Sequence, residues 1–589
     1  MQSHQSALGL TWKQKPYDER LALAMQQKFE LPSALAQIMA AKHVELDEIE
    51  NFLNPTIKAN LPNPFDLLDM EAAVLHVINA VQARKKITIF ADYDVDGATS
   101  SALLRRFFRE IGVAVEIYVP DRVLEGYGPN SQALLALKKN GTDLVITVDC
   151  GTTAFKPLED AVKAGLEIIV IDHHLGVLEK PAALAVINPN RIDENFPHKN
   201  LCAAGVCFLF AVAINKRLRE IVFYSDKIAE PKIMQLLDLV ALGTVCDVMP
   251  LTGLNRAFVA QGLKILRTRQ NLGIRALCDV AGLDEEPSAY HLGFIIGPRI
   301  NAGGRVGKSD LGARILSTED EEEAQSIAAQ LHALNAERKE IETKVLQESI
   351  DGLEGKNDQI IFAVGNDWHQ GVIGIVASRI KDLYNRPTAA ISINSTTQIA
   401  KASCRSINGI DFGSAILQAR LNGLLLEGGG HAMAGGFSME AAKIPQLQKF
   451  FHDLLSEKIA ELTKEKLREF HCQLDLQNIN VDLLKHIQRL EPYGAGNSRP
   501  KFIIRNLRKV SAKIIGQTQE HISCNFSSLS SVGFSGNLQA VAFRSVSTPM
   551  ANILLDAKFN KPISIAGELN INNWMGTEKV QMIIEDVLI

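Results

Sequence analysis

Four apolar runs, each ending in an acidic or histidine-bearing turn, constrain this chain more than any other feature. Ile87-Thr88-Ile89-Phe90-Ala91 stops at Asp92-Tyr93-Asp94-Val95-Asp96-Gly97, and Leu144-Val145-Ile146-Thr147-Val148 stops at Asp149-Cys150-Gly151. Glu167-Ile168-Ile169-Val170-Ile171 stops at Asp172-His173-His174, and the run Leu239 to Val245 leads into Cys246-Asp247. Continuous β-branched runs of this length read as strands buried on both faces, the kind found in parallel sheets. Such sheets bind ligands outside the carboxyl ends of their strands. Four strand ends are therefore expected to deliver Asp and His side chains into one crevice. Apolar strands alternate with amphipathic helices from about Ala80 to Leu251, which predicts βαβ units and a doubly wound parallel α/β sheet.

A single Asp after a strand usually closes a turn or caps a helix, but several together point elsewhere. Asp92, Asp94 and Asp96 repel one another unless a cation sits between them. Their spacing with Gly97 matches the start of a calcium loop, yet that loop needs a Glu six residues after the Gly and Leu103 stands there. Asp172-His173-His174 adds two imidazoles beside another carboxylate. Carboxylate and imidazole together suit Mg²⁺ or Mn²⁺, so the chain reads as a metal-dependent hydrolase with a carboxylate-rich, two-metal centre. Gly97-Ala98-Thr99-Ser100 is expected to open the helix behind the first acidic turn, placing helix-terminal N–H groups near a bound phosphate.

The 589 residues suggest roughly four domains of ordinary size. A 46% hydrophobic content allows large cores and argues against extended disorder. No apolar stretch reaches the ~18 residues needed to span a bilayer, and Met-Gln-Ser-His-Gln-Ser lacks the basic and apolar regions of a signal peptide. The eight cysteines are scattered without a CxxC pair, so neither zinc ligation nor a disulfide framework is expected, and a reducing cytoplasm fits. The net charge of −5 does not advertise a nucleic-acid binder. Local basic clusters do exist: Arg299, Arg305, Lys308 and Arg314; Lys401 and Arg405; and Arg499, Lys501, Arg505, Arg508, Lys509 and Lys513.

The first fifty residues read as helical and auxiliary. From Glu319 to Leu353, apolar residues recur near helical spacing and predict a long amphipathic helix joining two lobes. A second α/β unit runs from about Gln359 to Leu455. Its Gly428-Gly429-Gly430-His431 and Gly435-Gly436 imply backbone close to a ligand, and with Ser403 and Arg405 they read as a phosphate clamp. After Glu491 come short strands: Phe502 to Ile504, His521 to Phe526, Leu538 to Phe543, Ile563 to Leu569 and Val580 to Leu588. Asn573-Trp574-Met575-Gly576 turns between the last two. Five short strands suit a small barrel of the OB type, in which Tyr493 and Trp574 serve equally well as core or as stacking platforms.

The ordered motifs Asp92-Tyr93-Asp94-Val95-Asp96-Gly97, Asp149-Cys150-Gly151, Asp172-His173-His174 and Gly243-Thr244-Val245-Cys246-Asp247 resemble those of the DHH phosphoesterase superfamily, and more narrowly its RecJ family of single-stranded-DNA-specific exonucleases. Gly297-Pro298-Arg299-Ile300-Asn301-Ala302-Gly303-Gly304-Arg305 resembles the linker of that family. The segments Trp368 to Arg379, Ser403 to Ser406 and Gly429 to Gly436 resemble its DHHA1 domain, and Glu491 to Asn497 the entry to its OB-fold. The resemblance implies five regions: residues 1–50, a DHH catalytic domain over 51–255, a helical linker over 256–355, a DHHA1 domain over 356–458, and an OB-fold over 459–589. It implies Asp92, Asp94, Asp96, Asp149, His173 and Asp247 as metal ligands, with Asp149 bridging two Mn²⁺ or Mg²⁺ ions. Asp149, His173, His174 and Asp172 become the catalytic set, Asp172 orienting a histidine. Arg299, Asn301, Arg305, Trp368, His369, Ser403, Arg405, Ser406, Gly430 and His431 become nucleic-acid contacts. The implied activity is 5′-to-3′ release of mononucleotides from single-stranded DNA in repair and recombination. The implied enzyme is a monomer that works with a single-strand-binding protein and a helicase and has no membrane partner. Two positions depart from the wider superfamily: Phe90 stands where small-substrate members carry a histidine, and Cys150 where others often carry Asn or His. Phe90, the linker and the barrel speak against a small-substrate phosphodiesterase, and the intact acidic set speaks against a non-catalytic scaffold.

Overall fold

The structure, a computed structural model, describes residues 6–122, 124–355, 358–463, 466–529, 537–574 and 576–589, excluding the Trp574 side chain. The first five residues, where no leader is expected, and Met575 of the expected turn lie outside the described residues. The chain forms two compact units: Met1–Leu61 with Pro250–Ala260 and Glu465–Ile589, and Pro62–Met249 with Gln261–Lys464. Among the described residues, no helix is long and apolar enough to cross a membrane.

In the larger unit, β1 (Ile87–Ala91), β2 (Val115–Tyr118), β3 (Leu144–Val148), β4 (Glu167–Ile171) and β5 (Ala185–Ile187) form a parallel sheet in the order β2-β1-β3-β4-β5. Every residue of β1 and β3 is buried, because helices cover both faces of such a sheet. Strand order reverses between β1 and β3, and their carboxyl ends open a crevice at that switch point. Asp92 follows one of these strands and Asp149 the other.

Two expectations need correction here. Leu239 to Val245 is not a strand but part of a helix, Leu237–Cys246, buried from Leu237 through Thr244. A short run that is apolar all round serves a fully buried helix as well as a buried strand, and periodicity cannot separate the two. The helix behind the first acidic turn, α1 (Val95–Glu110), begins two residues earlier than Gly97: Asp94 caps it, accepting from the amides of Asp96 and Gly97 at 2.9 and 3.2 Å. Asp96 thereby moves from the turn into the first turn of a helix. Gly97 is required for that geometry, since a Cβ there would lie 2.3 Å from the Asp92 carbonyl oxygen. Downstream come α2 (Ala203–Glu220), α3 (the Leu237–Cys246 helix) and α4 (Gly297–Val306), the last preceded by a π turn at Leu292–Ile296.

The long helix α5 (Glu321–Asp351) spans 31 residues, about 46 Å at ~1.5 Å per residue. It leads to a mixed sheet of β6 (Ile361–Asn366), β7 (Thr388–Ile393), β8 (Ile399–Arg405), β9 (Glu427–His431) and β10 (Ala434–Glu440), ordered β9-β10-β8-β7-β6, with α6 (Gln370–Tyr384) packed on it. A buried polar network ties helix to sheet: Arg338 donates to Glu342 and Asn335, Arg379 to Glu342, and Trp368 Nε1 to Glu348 at 2.7 Å.

In the smaller unit, β11 (Phe502–Ile515), β12 (His521–Ser528), β13 (Asn537–Ala542), β14 (Ile563–Trp574) and β15 (Thr577–Leu588) pair in the order β11-β12-β13-β15-β14, and β14 pairs back with β11 to close a barrel. The N-terminal residues are not purely helical. Thr11–Gln14 is a strand paired in parallel with Leu467–Phe470, and Met25, Leu35 and Ile38 share one apolar core with Phe502, Phe526 and Ile565 of the barrel. Arg256, 2% exposed, organises the barrel entry by donating to the carbonyls of Phe52, Leu490, Glu491 and Pro492. Tyr493 packs on this core with its hydroxyl donating to the Ile487 carbonyl.

Candidate metal centre

Each acidic side chain is fixed by the element that carries it. Asp96, 2% exposed, accepts from the amides of Ala203 and Ala204 at 2.6 and 3.0 Å, so the N-terminus of α2 neutralises part of its charge. Gly243 of α3 makes room for this arrangement: a Cβ there would meet Asp96 Oδ1 at 2.8 Å. Asp149 sits in the left-handed region at φ 61°, a costly conformation for a non-glycine residue that clusters at functional sites. Asp247 forms the C-terminal cap of α3. Asp172 accepts the amides of His173 and His174, the amide of Thr152, and a hydrogen bond from His174 Nδ1 at 2.8 Å. The side-chain amides of Asn188 and Asn190 hold the carbonyls of His174 and His173.

These side chains converge. Ligand atoms of Asp92, Asp94 and Asp149 lie within 4.8 Å of one another, as do those of Asp96, His173 and Asp247, and those of Asp149, His173 and His174. His173 Nε2 stands 3.2 Å from Asp149 Oδ1, 3.6 Å from Asp247 Oδ2 and 3.8 Å from Asp96 Oδ2. Asp149 and His173 thus connect an Asp92–Asp94 side to an Asp96–Asp247 side. Buried oxygens of Asp92, Asp149 and Asp247 have no hydrogen-bond partner, and an orphaned buried carboxylate oxygen is costly. Burial, then the neighbouring Asp94, pushes the Asp92 carboxyl up to about 8. Burial, then Asp96 and Asp94, pushes Asp247 up to about 9. Burial and four surrounding carboxylates hold Asp149 well above the ordinary range. Cations would remove both the repulsion and the orphaned atoms, and the oxygen-rich donor set with imidazole fits Mn²⁺ or Mg²⁺. Asp172 behaves oppositely. Burial alone would raise it, but the His174 hydrogen bond, the His174 charge and the Thr152 amide hold it well below the usual carboxylate range, while this pairing lifts His174 to about 9.

Beside this crevice, a cleft of about 860 Å³ is lined by Arg122, Arg305, His369, Lys401, Ser403 and Arg405 among others. Arg305 donates to the Gly371 carbonyl at 2.8 Å, and Arg405 donates to Ser403 Oγ at 3.2 Å. Burial, then nearby Arg122 and Arg338, lowers Arg305 to about 10, and burial lowers Arg405 as well. A crowded, desolvated group of guanidiniums is relieved by an anion. Gly304 lets α4 approach the Tyr93 carbonyl, where a Cβ would come within 2.9 Å.

Other candidates are placed differently. Trp368 is buried in an apolar cluster and tied to Glu348. Ser406 is 1% exposed and donates to the Ile410 carbonyl. Arg299 donates to the Ile295 carbonyl and to His332. All three have internal hydrogen-bond partners here. Asn301 and His431 do not line the cleft, and Gly430 gives way there to Gly428 and Gly429. Phe90 is fully buried, Cys150 donates to the Val148 carbonyl, and both belong to one apolar core cluster. In the barrel unit, Arg499 is bound to Asn570, Lys501 to Glu585, Arg505 to Gln473, and Lys509 to the carbonyls of Ile553 and Asp556. The sequence reading missed Arg122, which lies over the Tyr93 ring at 5.1 Å, and Tyr127, which donates to the Asp149 carbonyl and faces His174. No spacing pattern marks either residue.

Comparison with known proteins accords with this geometry. The family models for the DHH family N-terminal domain, the DHHA1 domain and the RecJ OB domain match residues 86–244, 357–457 and 470–586. The single-stranded-DNA-specific exonuclease RecJ of Dickeya dadantii is 34% identical over 94% of this chain and 96% of its own. The Bacillus subtilis protein of the same description is 30% identical over 98% of this chain and 71% of its own. The crystal structure of RecJ in complex with Mn²⁺ from Thermus thermophilus superposes with a TM-score of 0.79 at 27% identity, covering 98% of this chain and 78% of that one. Three domain models matched in order, relatives aligned over nearly the whole chain, and an acidic crevice at the switch point together establish that the chain belongs to the RecJ family of the DHH superfamily.

Proposed function

We propose that this chain hydrolyses single-stranded DNA from its 5′ end, releasing mononucleotides at a two-metal centre. It is an enzyme, a single-stranded-DNA-specific exonuclease that depends on divalent metal. The observation that carries the reading is the convergence of Asp92, Asp94, Asp96, Asp149, His173 and Asp247 with three buried carboxylate oxygens left unpartnered. Two ions held by that set would supply charge for the attacking and leaving oxygens of a phosphodiester.

The chain's own residues do the rest. Asp149 belongs to two of the three donor groups, one with Asp92 and Asp94 and one with His173 and His174, so it would be the ligand shared by two ions. Asp172 fixes the ring of His174 and keeps it protonated, so that His174 presents a charged donor toward the scissile phosphate. Arg305, Ser403 and Arg405 hold the terminal phosphate, with His369 and Arg122 at the sides of the same cleft. Helix α5 and the mixed sheet position that clamp, and the barrel unit grips the trailing strand. Polarity and mononucleotide products follow the family resemblance. So do the setting in repair and recombination, the cytoplasmic location, the monomeric state and cooperation with a single-strand-binding protein and a helicase.

The test offers 5′-labelled single strands, dinucleotides and pyrophosphate to the protein in Mn²⁺. Rapid release of labelled mononucleotide from the long strand is expected. Preference for dinucleotide or pyrophosphate would favour the small-substrate reading instead, and release from the 3′ end would reverse the polarity.

A further inference from the structure

Two exposed aromatic rings are carried by Tyr290 and by the turn that packs on the helix leading to Asp247, without a role in the site described so far. Tyr290 is 58% and Phe294 71% exposed, and their rings stack on each other with centroids 5.0 Å apart and planes 24° apart. Stacked aromatic rings left exposed together offer a ready contact surface. The pair is not on a loose loop. Phe294 lies in the π turn Leu292–Ile296, a local form that recurs at functional sites. That turn is seated on the end of α3 that carries Asp247: Cys246 Sγ donates to the Leu292 carbonyl at 3.4 Å. Gly297 allows the approach, since a Cβ there would lie 2.4 Å from Cys246 Sγ. Val248, the residue after Asp247, is itself 69% exposed.

The pair is also set at a defined distance from the phosphate clamp. Phe294 precedes α4 and Arg305 lies near its C-terminal end, eleven residues on, which is about 16 Å at ~1.5 Å per residue. A strand whose terminal phosphate lies at Arg305 and Arg405 would cover that span within about five stacked nucleotides, at ~3.4 Å each.

We propose that Tyr290 and Phe294 form a base-stacking platform that receives nucleobases of the strand within about five nucleotides of its terminal phosphate. The occupant is a nucleobase: the turn that carries Phe294 packs on the helix that ends at Asp247, and the rings present flat apolar faces with no charge to select one base over another. The platform sets register and affinity, not chemistry. The inference rests on the exonuclease reading, and wild-type degradation of the control strand tests that reading separately.

The experiment combines protein variants with abasic substrates. Steady-state KM in Mn²⁺ is measured for wild type, Phe294→Ala, Phe294→Trp and Phe294→Leu. Substrates are a 5′-phosphorylated strand and the same strand with abasic sites at the second to fifth nucleotides. Loss of one stacked base is expected to raise KM about 5- to 160-fold. Phe294→Ala should do so on the normal strand and have little further effect on the abasic strand, Phe294→Trp should restore wild-type KM, and Phe294→Leu should not. The Mn²⁺ midpoint should stay at the wild-type value in all variants, since the rings do not ligate. Additive losses from the protein change and the abasic sites would overturn the platform, as would an unchanged KM in Phe294→Ala or full rescue by Phe294→Leu.

Discussion

Removing the divalent ions should reveal a proton reservoir in the metal centre. With the ions chelated, Asp92 titrates near 8 and Asp247 near 9, because burial and neighbouring carboxylates disfavour their charged forms. At pH 7 each is therefore protonated in roughly nine molecules of ten or more. Ligation needs carboxylates, so loading with Mn²⁺ should expel about two protons per protein, and a third where Asp149, also raised, binds as an anion. Isothermal titration in buffers of different ionisation enthalpy counts them directly, and log affinity should climb with pH at a slope of about 2 below pH 8. The same shifts fix the sign of the stability change. Groups whose folded pKa is raised bind more protons folded than unfolded, so their contribution is fully present below the unfolded value near 3.9 and is lost as pH rises toward 8–9. Chelated protein should lose up to about 3 kcal/mol per pH unit from this pair over the middle of that window. Mn²⁺ should flatten the slope. Release of less than one proton at pH 7, together with a melting temperature that does not fall between pH 5 and 8 in chelator, would refute the assignment of these carboxylates to one ion-binding cluster.

Three further outcomes can be stated. Asp149→Ala should leave a folded protein that binds single strands but lacks nuclease activity in excess Mn²⁺; wild-type turnover would remove Asp149 from the bridging position. Arg405→Ala should raise KM for 5′-phosphorylated strands about 10- to 100-fold, the loss of one charge-assisted donor at ~1.5–3 kcal/mol, while 5′-hydroxyl strands are little affected; equal KM values on phosphorylated strands would count against the clamp. Arg256→Met should lower stability by about 3–5 kcal/mol, since four carbonyls lose their donor and buried groups left unpaired cost ~1–3 kcal/mol each before relaxation. A thermal melt checks this last outcome, and an unchanged melting temperature would show that water replaces the guanidinium.

Much of this molecule was legible in its residues because local chemistry and global fold agree there. The runs at Ile87, Leu144 and Glu167 became adjacent parallel strands, since continuous β-branched sequence suits a sheet covered on both faces. The amphipathic repeat after Glu319 became one long helix, and the short runs after Phe502 closed into a barrel. What the sequence left open was decided by burial. Leu239 to Val245 became a helix because its surroundings are apolar on every side, a condition that erases the period a reader depends on. Trp368, Arg299 and Ser406 carry the right chemistry for nucleic acid, and the internal hydrogen bond that each makes is visible only in the fold. Arg122 and Tyr127 carry no signature in spacing, and only the folded chain brings them to the crevice. The N-terminal helices likewise joined the barrel core across more than four hundred residues of intervening chain. A sequence fixes which side chains can ligate, stack or donate. Which of them face the same space depends on contacts between distant segments, and those exist only once the chain has folded.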